Sequence, residues 1–215
     1  MLLDLIFPTR CLSCDTIIPS NSILCENCEE QLSYTHFKFD SENILTQKAK
    51  LLFPVEKAFA LFYFKDENLA QKLIHGLKYG NQQFIGKHLA QCIHDRIKLN
   101  EIDEIISVPL HEKKLKQRGY NQLTLFGNTL SKLYNIPVNH QFLKRNSHDK
   151  AQAQKDKTHR EETKSVFSSQ SSQDSKHILL IDDVFTTGNT LSSIAWEILS
   201  KNPNYRISIL VIAID

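Results

Sequence analysis

The sequence predicts an α/β domain on a mostly parallel sheet with flanking helices, preceded by a small four-cysteine metal module. Three observations carry this. From residue 55 onward, short apolar runs alternate with segments whose apolar residues recur at helical spacing. Four of the five cysteines fall within residues 1–36, as two C-x-x-C pairs. Residues 178–190, ILLIDDVFTTGNT, read as a strand, a short loop and the start of a helix.

The elements follow in order. Residues 1–36 hold few candidates for a conventional core, and residues 37–54 show no sustained period and read as a connector. The domain proper is expected over residues 55–215. The aromatic run 58–64 favours a strand. Leu69, Leu73, Ile74 and Leu77, then Leu89, Cys92, Ile93 and Ile97, recur at helical spacing and predict two helices. Residues 102–109 read as a buried strand, 120–134 as an amphipathic helix, and 136–138 as the entry to a short strand. Residues 144–164 are polar and charged, and residues 168–173, SSQSSQ, read as a flexible surface loop. An apolar strand at 178–181, a helix at 191–199 and a last strand at 207–214 complete the alternation.

At 215 residues the chain has room for one such core plus an appendage. Its 26 basic and 24 acidic residues leave a formal charge of +2, so charge balance alone argues for neither nucleic acid nor membrane. The apolar start MLLDLIFP has no basic leader and carries Asp4, and no stretch approaches the roughly 20 apolar residues of a membrane span. A cytoplasmic protein with reduced thiols and no membrane insertion is the expectation.

Cys11 and Cys14 are separated by ten residues from Cys25 and Cys28, the spacing of a four-thiolate zinc site in which each pair forms a knuckle. A module below about 40 residues needs metal or disulfides to fold, and a reducing compartment favours metal. A redox pair or an iron centre are the alternatives to zinc. Four protein ligands leave no open position, so the role is structural or for interaction. Cys92, on an apolar helical face, reads as a core residue, and His36 as an ordinary surface residue.

The 178–190 segment ends an interior strand in two acids, Asp182 and Asp183, and passes through Thr186, Thr187, Gly188, Asn189 and Thr190 into a helix. Ligands of parallel sheets bind at that edge. Unpaired N–H groups at a helix N-terminus attract a phosphate, Gly188 permits close approach, and the threonine hydroxyls add donors. Two acceptor-only carboxylates match the two hydroxyls of a ribose. A receiver domain would need its acidic strand first, and a P-loop NTPase would need G-x-x-x-x-G-K-[ST] upstream. The nearest candidate, from Gly80 to Gly86, Lys87 and His88, has one residue too many and the wrong last residue.

A second loop leaves the 102–109 strand at the same edge: Leu110 and His111, then Lys113, Lys114, Lys116, Arg118 and Gly119, followed by Tyr120, Asn121 and Gln122. A cationic loop there suits a diphosphate, which Arg118 can grip in bidentate fashion. Standing alone it would equally be a solvated basic loop. The basic groups Lys144, Arg145 and residues 155–160 are diluted by Asp149, Asp156, Glu161 and Glu162 and read as a solvated face.

The thirteen-residue string 178–190 resembles the signature of type I phosphoribosyltransferases. Together with V-P-L, the basic loop, R-G-Y-N-Q, L-D-L-I-F-P-T-R-C-x-x-C at the start, and Lys78-Tyr79-Gly80, it resembles the ComF/GntX family. Gln152 or Gln154, Arg160, Val166 and Phe167 fit a further family pattern, with Thr163 where the family carries Asn. The resemblance implies a type I phosphoribosyltransferase fold and a co-substrate, 5-phosphoribosyl 1-diphosphate, bound with Mg2+. It implies ribose-phosphate contacts from Asp182, Asp183 and residues 186–190, with Asp182 and Asp183 catalytic, and diphosphate contacts from Lys78, Leu110, His111, Arg118 and Asn121. A nitrogen nucleophile would displace diphosphate. Charge then builds on the ring and on the leaving group, and both need stabilisation. The family also implies a link to competence and DNA uptake. A non-catalytic competence factor that binds single-stranded DNA or an uptake partner, with the pocket as a sensor, is the alternative.

Overall fold

A computed structural model describes residues 7–65, 68–79, 82–146 and 166–215. Gly80, Leu3 to Ile6 and every residue named above between 147 and 165 lie outside them.

Five strands form one parallel sheet: β1 (Ala58–Tyr63), β2 (Glu104–Ser107), β3 (Val138–Asn139), β6 (His177–Phe185) and β7 (Arg206–Ile214), in the order β1-β7-β6-β2-β3. A parallel sheet needs cover on both faces, which is why β6 and β7 read as nearly unbroken apolar runs rather than alternating ones. Ile178, Leu179, Leu180, Ile181 and Ile209 through Ala213 are fully enclosed. Helices α3 (Leu69–Tyr79), α4 (Phe84–His94), α6 (Leu123–Tyr134) and α7 (Asn189–Lys201) flank the sheet and bury the residues whose spacing predicts them, including Leu73, Leu77, Leu89, Ile93, Leu130, Ile194 and Ile198. The predicted α/β architecture is therefore the observed one. Cys92 is buried as expected, and His36 is exposed.

Connections determine where a crevice opens. Strand β2 runs through α6 to β3 on one side, and β6 runs through α7 to β7 on the other. Between the adjacent strands β2 and β6 the connections diverge, and that switch point is where an open parallel sheet accepts a ligand. The β2·β6 ladder ends at Ser107 and Ile181, while β6 continues beside β7 to Phe185. Residues 182–185 thus overhang the end of β2.

Three local expectations need correction. Residues 37–54 contain a helix, α2 (Ile44–Lys50), capped by the Asn43 side chain, which accepts from Thr46 N at 3.0 Å. Leu45 and Ala49 are fully buried, and α2 packs on β1. Seven residues are too few for a period to show, whereas the Asn43 cap followed by Ile44 and Leu45 was a readable start signal. The basic loop contains a second short helix, α5 (Glu112–Arg118), ended by Gly119 at φ 77°. Within the expected 168–173 surface loop, residues 168 and 169 belong to β5 (Phe167–Ser169), which pairs antiparallel with β4 (Leu143–Arg145) and buries Phe167. Each of these elements exists through partners distant in sequence.

The stretch ahead of β1 also closes the sheet. Ser33 O accepts from Tyr63 N at 2.8 Å, Thr35 N donates to Leu61 O at 3.0 Å, and Asp40 bridges to Ala58. An edge strand left open invites pairing with another chain, and these bonds occupy it.

His177 begins β6 almost fully buried, with Nε2 2.8 Å from Ser208 Oγ. Burial first, then the Arg206 charge, pulls its pKa below the ordinary imidazole value. Below about pH 6.5 the unfolded chain therefore binds more protons than the folded one, and stability falls as pH falls. Melting temperature should drop between pH 7 and 5, with a shallower slope in His177→Asn. Identical slopes would assign the acid loss to other groups.

Candidate functional site

The site assembles at the β2/β6 switch point. Asp182 and Asp183 stand on the overhang of β6. After Phe185, residues 186–188 turn the chain into α7, and Asp182, Val184 and residues 185–191 line one small pocket. Thr186, Thr187, Asn189 and Thr190 are exposed around it.

Gly188 is required here twice over. Its φ of 74° lies in the left-handed region, and a Cβ would fall 2.5 Å from Leu52 Cδ1 and 2.7 Å from Phe185 Cζ. Leu52 comes from just after α2. Its carbonyl accepts from Trp196 Nε1 at 3.0 Å and Ser192 Oγ at 3.3 Å, so the expected connector is bolted to α7 directly behind the 186–188 turn.

The two acids differ in environment. Asp183 Oδ2 meets Lys78 Nζ at 3.0 Å and accepts from Gln122 Nε2 at 2.8 Å. Its negative charge has a cation and a donor. Asp182 keeps part of its side chain open to the pocket, yet protein atoms surround it. Burial, then the neighbouring Asp183 carboxylate, pushes its pKa up to about 8, against the opposing pull of the Asp183 N–H, Lys78 and Arg145. One partner is held as an ion pair and the other is poised to be neutral.

Behind Asp183 the network continues. Arg118 Nη1 donates to Gln122 Oε1 at 2.9 Å, Arg118 Nη2 to the Tyr79 hydroxyl at 3.1 Å, and the guanidinium lies over the Tyr79 ring, 4.6 Å from its centroid. Tyr120 donates to Leu77 O at 2.8 Å, tying the start of α6 to the end of α3. Arg118 Nε meets no hydrogen-bond partner among the described residues.

The structure thus brings Lys78, Arg118, Asp182 and Asp183 together with the 186–190 loop. Asn121 and His111 are spent locally. Asn121 donates to Val108 O at 3.3 Å and accepts from Leu123 N at 3.0 Å, and His111 Nδ1 accepts from Lys113 N at 3.1 Å as the cap of α5. Leu110 is half-exposed on the loop before α5. Sequence reasoning named no role for Gln122, which joins Asp183 to Arg118, or for Tyr79, which holds the Arg118 guanidinium. They sit inside the R-G-Y-N-Q and K-Y-G strings, but only folding reveals what they touch.

The ribbon module closes as expected. One sulfur from each of Cys11, Cys14, Cys25 and Cys28 lies within 4.8 Å of the others, none is in a disulfide, and Cys14 Sγ lies 3.6 Å from Cys25 Sγ. Two thiolates on one tetrahedral zinc stand about 3.8 Å apart. Burial raises the Cys11 thiol, but backbone N–H groups of Cys14, Cys25 and Ser13 outweigh it and bring it down to about 6. The donor set fits a structural zinc held by four thiolates.

Comparison with known proteins agrees on both halves. Residues 2–38 match the family model described as a double zinc ribbon domain. Competence protein F of Haemophilus influenzae is 33% identical over 134 residues, covering 57% of this chain and 58% of that protein. DNA utilization protein YhgH of Escherichia coli O157:H7 is 30% identical over 138 residues, 60% of each chain. Competence protein ComFC of Bacillus subtilis is 30% identical over 105 residues, 48% of this chain and 41% of that one. The chain therefore spans no more than 60% of these relatives' lengths. The adenine phosphoribosyltransferase of Leishmania tarentolae matches 82% of this chain and 89% of its own at 13% identity, with a TM-score of 0.38, too loose a likeness to carry an argument. The ComF-type resemblance read from the motifs is thus matched by relatives bearing that name, and the cysteine module by a zinc ribbon. No helix among the described residues is long and apolar enough to cross a membrane.

Two outcomes follow. Gly188→Ala should lower stability by about 1–3 kcal/mol in denaturant titration, because the strained φ and the Leu52 and Phe185 clashes add; a neutral substitution would refute the packing behind the loop. Removing zinc with a chelator should expose residues 7–38 to limited proteolysis while the sheet persists by circular dichroism.

Proposed function

We propose that this protein binds 5-phosphoribosyl 1-diphosphate in the crevice between β2 and β6 and transfers the phosphoribosyl group to a nitrogenous acceptor. One observation carries the reading: the acidic pair with its Thr-Thr-Gly loop and the basic segment around Arg118 leave the sheet on adjacent strands, at the point where the connections diverge.

The chemistry follows from the groups present. Backbone N–H groups of residues 187–190 and the threonine hydroxyls hold the 5′-phosphate at the start of α7. The carboxylates of Asp182 and Asp183 accept from the ribose hydroxyls. As the acceptor nitrogen forms its bond to C1, the C1–O bond to diphosphate breaks and its electron pair leaves with the diphosphate. The ring gains positive charge, which the carboxylates favour, and Lys78 and Arg118 face the departing anion. To meet diphosphate, Lys78 exchanges its Asp183 contact for a substrate oxygen. The carboxylate oxygens of Asp182 and Asp183, with the oxygens of the diphosphate, would suit Mg2+, which would supply charge neutralisation for the leaving group when bound. Similarity to relatives named for competence and DNA utilisation supports a cytoplasmic role in handling incoming DNA, with single-stranded DNA or the uptake machinery as the partner.

Calorimetry tests the donor site. Asp182→Asn with Asp183→Asn should weaken donor binding roughly 100-fold, the loss of two charge-assisted hydrogen bonds, with the fold intact. Unchanged affinity would remove the site assignment. Diphosphate release should be detectable with some member of a panel of bases and amines; its absence across the panel, with donor binding retained, would leave a sensor rather than a transferase.

The state of Asp182 adds a pH signature. Burial and the Asp183 charge push this carboxyl up to about 8 in the free protein, whereas the stronger, charge-assisted hydrogen bonds from the ribose hydroxyls favour the carboxylate. Binding then releases a proton below that pH. Affinity should rise with pH up to about 8, by at most about tenfold per pH unit, and Asp182→Asn should flatten the profile.

A further inference from the structure

A second set of metal-ligating groups joins the ribbon to the α/β domain. Glu29 ends α1 (Glu26–Glu29), one residue after the zinc ligand Cys28. His88 and Cys92 lie one turn apart on the same face of α4. A carboxylate oxygen of Glu29, an imidazole nitrogen of His88 and the Cys92 sulfur all stand within 4.8 Å of one another.

A second observation marks the cluster. His88 Nε2 is enclosed and meets no hydrogen-bond partner among the described residues. A buried imidazole nitrogen without a partner calls for an occupant. Cys92 is buried with a free thiol. The Tyr34 hydroxyl reaches Glu29 Oε1 only at 3.5 Å, the long limit of a hydrogen bond. Arg96, the neighbouring cation, is engaged elsewhere: its guanidinium lies 4.1 Å from the Tyr34 ring centroid and donates to Cys92 O at 2.8 Å.

We propose that Glu29, His88 and Cys92 bind a second zinc ion, which clasps the ribbon to α4. The mixed S, N and O set suits this borderline-soft ion, whereas Mg2+ and Ca2+ take oxygen alone. Ligands of one tetrahedral zinc stand about 3.3–3.8 Å apart, within reach of groups already this close after small rotations. Three protein ligands leave a fourth position for water. The four-cysteine site lies wholly within residues 11–28, so it folds the ribbon without attaching it. The second ion crosses the junction.

Metal analysis of the full chain, loaded with zinc and dialysed without chelator, tests this. The expected result is two zinc ions per chain, falling to one in His88→Ala, Cys92→Ser and Glu29→Gln with far-ultraviolet circular dichroism unchanged. Glu29→Gln, the mildest change, decides the matter where the helix variants fail to fold. On cobalt substitution, Cys92→Ser should remove part of the thiolate-to-cobalt charge-transfer band and leave the four-cysteine share. One zinc in the unaltered chain at saturating metal, or two in Glu29→Gln and His88→Ala alike, would overturn the assignment.

Discussion

Strand β6 outruns β2 by residues 182–185, which begin with the acidic pair. Its first five residues are sealed in the sheet, and the ladder to β2 stops at Ile181, so Asp182 and Asp183 are the first positions where a polar side chain can open to one side while β7 still supports the other. Moved two residues earlier, the acids would be buried unpaired between helices, at a large desolvation cost. Moved later, they would sit on a loop without a fixed direction. The overhang gives rigid placement and access together, and the loops after β2 and β6 take their positions from it.

That placement explains how two adjacent carboxylates coexist. Like charges so close disfavour simultaneous ionisation. The protein separates their roles: Asp183 is held by Lys78 and Gln122, and Asp182, enclosed beside it, is driven toward neutrality. Lys78 comes from α3 and Gln122 from the turn into α6, so the electrostatic state of the pair reports whether three elements have docked correctly. Arg118 and Tyr79 extend the same network toward solvent.

The segment ahead of β1 has more work than joining two parts. Residues 33–40 close the β1 edge, and α2 with Leu52 backs the turn at Gly188. Because Gly188 has no side chain, Leu52 fits where a Cβ would be, and the turn into α7 is braced from behind rather than from its pocket side. The ribbon, the segment and the sheet are therefore mechanically continuous.

Much of this was legible in one dimension. Buried parallel strands are apolar throughout, amphipathic helices repeat every third or fourth residue, and the paired cysteines have a spacing set by tetrahedral geometry, so the α/β alternation, the zinc ribbon and the acid-Thr-Gly loop could be read from residue order. These are local patterns with local causes. The short helix Ile44–Lys50, the strand at Phe167, the Gln122 bridge and the meeting of Glu29 with His88 and Cys92 were decided only by folding. Each depends on contacts between residues far apart in the chain, where no period marks a partner. Sequence alone determined which chemistry the chain carries. Strand order, and the overhang of β6 past β2, decided where that chemistry converges, because only a closed hydrogen-bond ladder specifies which strand ends lie side by side.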